Sequence, residues 1–238
     1  MSLINKVDAI ISNNIDLDDI GYFKNPIEYE SDLNTIKGVD WKKLLNNPSK
    51  NSSSKTISEL KQVSKLTQNR SNAELNLIHV VDQDPLELYY QFLLERDLKF
   101  PTDVFHRNYN ILEHYTYVLK YYFNRARPAQ IAPHHDIEIK VLATDTHHTP
   151  SYPSGHVMYS ELAAHTLSDL YPHYTKDFFR LSEYCGLARI LQGVHYPSDN
   201  DASKLACKSL YIAMKKGFEN DERANKNTLD RQPYDKRA

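Results

Sequence analysis

From residue 56 to about residue 216 the apolar side chains of this sequence recur every three to four positions, and no run alternates clearly as a strand face would. Thr56-Ile57-Ser58-Glu59 has the form of a capping box, a hydroxyl at the helix start and a carboxylate three residues on to bond back. Ile57, Leu60, Val63 and Leu66 then fall at helical spacing. Asp84-Pro85-Leu86-Glu87 marks a second start, with proline at the first helical position, where its missing N–H costs nothing. A third helix is expected from about Asp103 to Arg125, with Leu112, Tyr115, Val118, Leu119 and Tyr122 as its apolar stripe. Pro128 should stop it, because the residue before a proline is pushed out of the α region. Further helices are expected at about 157–170, 175–190 and 199–216, the last closed by Gly217. With 6 glycines and no clear strand pattern, the expected class is all-α.

Outside that region the composition changes. Residues 1–55 are rich in Asn, Asp, Lys and Ser, and Asn46 to Ser54, with Pro48 and consecutive serines, reads as a loop. This segment is expected to be a partly ordered arm on a helical domain at 56–218, and residues 219–238 a mobile polar tail. A chain of 238 residues buries enough surface to fold without a disulfide or metal staple. Cys185 and Cys207 lie in apolar helical stretches and read as buried free thiols. No stretch approaches the roughly 20 apolar residues of a membrane span, and Met1 to Asp19 has no continuous apolar h-region. The reading is therefore of a chain without a membrane anchor, with the cytoplasm as the default compartment. A formal net charge of −2 gives no overall pull toward nucleic acid or an anionic membrane, so any basic character that matters is local.

Three short segments hold such local character, each at the edge of an expected helix. Lys120 and Arg127 are seven residues apart, close to two helical turns, and would share a face roughly 10 Å apart along the axis if the helix persisted. Two cations on one face repel unless an anion joins them; taken alone, a solvated basic face explains them as well. Pro153-Ser154-Gly155-His156 stands directly before a helix, where free N–H groups and the positive dipole end suit a phosphate. There Gly155 permits close backbone approach and Ser154 adds a hydroxyl, although an ordinary turn has the same composition. In the third segment Arg189 could grip a phosphate through two parallel N–H···O bonds. His195 and Asp199 are spaced so that the carboxylate accepts from one ring nitrogen, leaving the other bare as a nucleophile; Asp199 could also cap the last helix.

Taken together, Lys-x6-Arg-Pro, Pro-Ser-Gly-His and Arg-x5-His-x3-Asp resemble, in this order, the signature of the phosphatidic-acid-phosphatase type 2 superfamily. That group includes bacterial class A nonspecific acid phosphatases and vanadium-dependent haloperoxidases. Lys120, Arg127, Pro128, Pro153, Ser154, Gly155, His156, Arg189, His195 and Asp199 match, and Ala188 stands where the pattern has serine. The resemblance covers about residues 100–215 and implies a helical bundle of the acid phosphatase type. It implies that Lys120, Arg127 and Arg189, with Ser154 and the Gly155 N–H, hold a phosphate without a metal or cofactor. It further implies that His195, oriented by Asp199, attacks phosphorus while His156 protonates the leaving alkoxide. The expected substrate is a small phosphorylated molecule, and soluble relatives leave room for a homo-oligomer.

Rival readings use some of the same residues. A haloperoxidase would hold vanadate in this cradle with His195 as its ligand. A metal site could be drawn from His134-His135-Asp136 and His147-His148, but adjacent histidines point in different directions and fit no familiar zinc spacing. Because that loop joins two of the motifs, His147 or His148 could touch substrate instead. A serine hydrolase built on Ser154 lacks the Gly-x-Ser-x-Gly elbow and leaves three cations without work.

Overall fold

The chain was analysed as a computed structural model describing residues 16–26, 28–29, 36 and 38–229, with side chains described through residue 217. Helix α6 (Gly155–Leu170) is the element the others surround. Nine of its side chains are buried, including Val157, Met158, Leu162 and Leu167, and a helix apolar on most sides belongs in a core. Its small residues Ala163 and Ala164, both fully buried, let neighbouring helices approach closely. Helices α4 (Thr102–Phe123), α7 (Thr175–Leu191) and α8 (Pro197–Leu229) pack directly on α6. Helices α1 (Ser54–Gln68) and α2 (Asn72–Gln83) lie against α7, which α3 (Glu87–Leu94) also touches, and the single turn α5 (Pro128–Ile131) follows α4. Among the described residues the only β pairing is an isolated bridge, Gly21 with Arg125, and the fold is all-α. None of the described helices is long and apolar enough to cross a membrane. Both cysteines are buried and free.

Local chemistry moves several boundaries from their expected places. Ser53, not Thr56, caps α1, accepting from the Thr56 N–H at 3.2 Å. Glu59 takes no part in that cap, because its carboxylate accepts from the Ser198 N–H at 2.7 Å on the far side of the fold. The complete capping box is at Ser71–Glu74, opening α2. Pro85 precedes α3 rather than opening it, and Asp84 accepts from the Leu86 N–H at 2.8 Å within that turn.

Helix α4 ends at Phe123, two residues before the end expected at about Arg125. Asn124 adopts a left-handed backbone, and its side chain exchanges two 2.9 Å hydrogen bonds with the backbone of Phe23 in the N-terminal arm. Pro128 therefore starts α5 instead of stopping α4, and Lys120 and Arg127 do not share a helix face. At the other end Gly217 closes nothing: α8 continues through it to Leu229, so the expected tail begins as helix, and residues 230–238 lie outside those described. The arm expected at 1–55 is seen from residue 16, where the Asn51 side chain donates to the carbonyls of Leu17 and Ile20 at 2.9 and 2.8 Å.

One glycine is indispensable to the path of the chain beyond α7. Gly193 has φ +86, and a Cβ there would come within 3.0 Å of Ile139 Cγ2. The chain reverses at this point and delivers His195 back toward α6. Ala188 sits one turn earlier, buried with Ile78 and Val81 of α2. An apolar side chain is what that interface takes, which accounts for alanine where the related pattern has serine.

Candidate active site

His195 lies just ahead of α8, and Asp199 sits in the first turn of that helix. The four-residue spacing puts Asp199 Oδ2 3.0 Å from His195 Nδ1. On the other side of the ring, Arg127 Nη1 is 3.2 Å from His195 Nε2. A guanidinium can only donate, so Nε2 is the bare nitrogen and Nδ1 carries the proton toward Asp199. Asp199 is fully enclosed; Oδ2 also accepts from the Tyr196 N–H at 2.9 Å, and Oδ1 from Arg125 Nη1 at 2.6 Å. Burial pushes this carboxyl above the ordinary carboxylate range, while the Arg125 guanidinium acts in the opposite sense. Glu59 completes the chain of charges, 3.3 Å from Arg125 Nη2.

The cations are bound through backbone oxygens. Lys120 Nζ donates to the Pro150 carbonyl at 2.6 Å. Arg127 donates through Nε to Thr149 O at 3.0 Å and through Nη1 to Val194 O at 2.8 Å, leaving Nη2 buried without a partner. Burial, with Arg189 also positive nearby, lowers the Arg127 pKa to about 10, and burial with Arg127 beside it takes Lys120 well below its ordinary value. A site that strains its cations in this way gains most from an anion.

Arg189 is placed differently from its neighbours. Nη1 is committed to Asp82 Oδ1 at 2.6 Å and Gln192 Oε1 at 2.5 Å, and Nη2 to Thr146 Oγ1 at 2.9 Å. Only Nε is left buried and unpartnered, so the parallel two-bond grip expected of Arg189 is not set up in this geometry.

Ser154 is the N-cap of α6 but makes no side-chain cap bond, and its Oγ is buried without a partner. Gly155 and His156 begin the helix, where first-turn N–H groups have no helical acceptor. A Cβ on Gly155 would stand 3.7 Å from Lys120 Cε, an ordinary contact, so packing alone does not demand glycine here. Burial, followed by the positive charge of Arg189, holds the His156 imidazole well below its usual pKa. His195 is held down in the same sense by burial and then by Arg127 and Lys120.

A cavity of about 410 Å³ brings Lys120, Arg127, Gly155, His156 and His195 to a common space. Ser154 and Arg189 are not among its lining residues. His148 lines it, whereas His147 turns Nδ1 to the Thr144 carbonyl at 2.5 Å and stacks on His148. His135 bonds the Asn51 carbonyl at 2.9 Å and His134 is exposed. Among the described residues, no three metal-binding side chains converge.

Sequence reasoning missed Arg125, Glu59 and Asp82. Arg125 had a signal: it is two residues from Arg127, and in an extended segment such positions point to one side. Glu59 and Asp82 are far from the motifs in the chain, and nothing local distinguishes them from surface acids.

The two depressed site histidines, together with His114 and His165, which burial also lowers, set an expected stability profile. In the unfolded chain imidazoles titrate near 6.5, so below that pH the unfolded state binds protons the fold refuses. Stability is then fully present above about pH 6.5 and falls as pH drops toward the folded values, by up to ~1.4 kcal/mol per pH unit for each histidine. Thermal unfolding midpoints from about pH 7.5 to 5 should therefore decline, and His156→Gln should flatten the slope. A midpoint indifferent to pH over that range contradicts the assignment.

No match to the chain was found among curated protein sequences. A solved structure similar to it is the transmembrane PAP2 type phosphatidylglycerolphosphate phosphatase from Bacillus subtilis, 17% identical, covering 71% of this chain and 89% of that one with a TM-score of 0.47. The family model of the PAP2 superfamily matches residues 109–221, a stretch that contains Lys120, Arg127, His156, Arg189, His195 and Asp199. Over those residues the chain is similar to the PAP2 superfamily, a match that supports phosphatase activity in general terms.

Proposed function

We propose that the protein hydrolyses phosphomonoesters through a phosphohistidine on His195, without a metal ion. The observation that carries this reading is the bare Nε2 of His195, fixed by Asp199 and facing a cavity it shares with Lys120, Arg127 and His156. Phosphoryl transfer needs positioning and charge stabilisation more than covalent assistance from the protein. Lys120, the free Arg127 Nη2 and first-turn N–H groups of α6 supply donors for the non-bridging oxygens.

In the first step His195 Nε2 forms a bond to phosphorus as the ester P–O bond breaks. The electron pair leaves with the alkoxide, which takes its proton from the His156 imidazolium. In the second step neutral His156 accepts a proton from water as the water oxygen attacks the phosphohistidine. The P–N bond breaks toward Nε2, and free phosphate with the original enzyme remains. Asp199 stays ionised throughout and stabilises the positive ring that forms.

The test is release of p-nitrophenol from p-nitrophenyl phosphate by the full chain in excess EDTA. The expected result is hydrolysis that chelation leaves intact and vanadate suppresses by competing for the same donors. Activity that vanishes on chelation and returns with an added divalent ion, or no release at all, would overturn the reading.

A further inference from the structure

Beside the catalytic cavity lies a second one of about 370 Å³, and the two share His156, Tyr109, Tyr159 and Thr146 as common walls. Their characters differ. The first is walled by the cations, whereas no lysine or arginine is among the described residues lining the second. Its walls are Pro85 and Leu86 ahead of α3, Tyr90 on α3, Phe105 and Tyr109 on α4, and Tyr159 on α6.

The rings form one continuous series from the surface to the catalytic cavity. Tyr90 meets Phe100 edge-on at 5.0 Å, Phe100 meets Phe105 at 5.1 Å, Phe105 meets Tyr109 at 5.8 Å and Tyr109 meets Tyr159 at 4.8 Å. The hydroxyls of Tyr109 and Tyr159 both turn to Glu113 Oε1, at 3.2 and 3.5 Å, and so are drawn off toward that carboxylate. Charge at the mouth of this lobe is acidic, from Asp82 and Asp84. Asp82 is held in its ionised form by Thr144 and Arg189, although burial works against it.

We propose that this aromatic lobe binds the alcohol portion of the substrate, and that the enzyme selects phosphomonoesters of uncharged apolar or aromatic alcohols over pyrophosphates and other substrates with anionic leaving groups. The geometry requires only that the scissile oxygen lie by His156, the residue common to both cavities, with the phosphoryl group on the cationic side. An apolar group is taken out of water against rings and aliphatic side chains. A second phosphate in the same place would face Asp84, and Asp82 already paired with Arg189, with no lysine or arginine among the described residues lining the lobe to receive it. The inference rests on the phosphatase reading and adds the substrate class to it.

Steady-state hydrolysis of 2-phenylethyl phosphate, glycerol 3-phosphate and pyrophosphate tests it. The first two are esters of primary alcohols of similar acidity, so their ratio reports binding of the alcohol rather than its quality as a leaving group. The expected kcat/KM favours the phenylethyl ester over glycerol phosphate by on the order of a hundredfold, the scale of a few methylenes in an apolar pocket, with pyrophosphate the poorest. Tyr90→Ala, at a position 38% exposed and so outside the core, should cut the ratio of the two esters by roughly tenfold. Gln83→Lys, at an exposed position on the rim, should raise pyrophosphate hydrolysis relative to both. Equal kcat/KM for the two esters, a preference for pyrophosphate, or a ratio unmoved by Tyr90→Ala would sink the lobe while leaving the phosphatase standing. Absence of hydrolysis of all three would take down the phosphatase reading and the lobe with it.

Discussion

His195→Ala abolishes phosphate release, by roughly 10⁴-fold or more, the scale at which removing the nucleophile of a covalent mechanism acts. The expectation comes from how much of the fold is spent on one nitrogen. Asp199 fixes Nδ1, the Arg127 guanidinium marks Nε2 as the acceptor, and Arg125 and Glu59 hold Asp199 in place behind the ring. Alanine removes the ring and leaves Asp199 with the Tyr196 N–H and Arg125, so the carboxylate is not stranded and the fold should survive. The check is twofold: steady-state rates beside a thermal unfolding curve, and a search for alkali-stable phosphate on the wild-type protein after rapid quenching. A folded His195→Ala protein with near-normal turnover, or a quenched wild type carrying its label on another residue, would remove His195 from its role. Asp199→Asn offers a graded companion, since an amide can hold the ring in the wrong tautomer and should cost activity without deleting the nucleophile.

The residues proposed for this work were legible in the sequence because each motif lies at a helix edge, where spacing translates directly into geometry. His195 and Asp199 are four apart and meet; His156 opens α6 and faces the cavity. Ends of helices were less legible. Nothing in the run from Lys120 to Pro128 announces that Asn124 turns left-handed to pair with Phe23, a contact 101 residues away. That one tertiary pairing ends α4 early, converts Pro128 from stop to start and places Arg127 off the helix that carries Lys120. Glu59 shows the same limit from the other direction. Its spacing from Thr56 mimics a capping box, yet the carboxylate is used by Ser198 and Arg125, partners that only the fold supplies. Arg189 was expected to grip a phosphate, while its bond to Asp82, which takes Nη1 out of that grip, was not legible.

His156→Ala should slow hydrolysis of alkyl phosphates by about 10²–10⁴-fold, the usual contribution of a positioned acid, and slow p-nitrophenyl phosphate far less. An alkoxide cannot leave at neutral pH without a proton, whereas nitrophenolate can. The structure adds a condition on where that proton comes from. Burial, with the nearby Arg189, His195 and Lys120 acting against Asp82, holds His156 toward its neutral form. A phosphate dianion reverses the local sign and makes the imidazolium favourable, so the acid is charged by the substrate it will protonate. Binding of vanadate or phosphate to the wild type near pH 7 should accordingly take up protons, measurable as a dependence of the calorimetric binding enthalpy on the ionisation heat of the buffer. In His156→Ala that uptake should shrink. A loss of rate equal for alkyl and nitrophenyl esters, together with proton uptake unchanged by the substitution, would show His156 to be a wall of the cavity and not its acid.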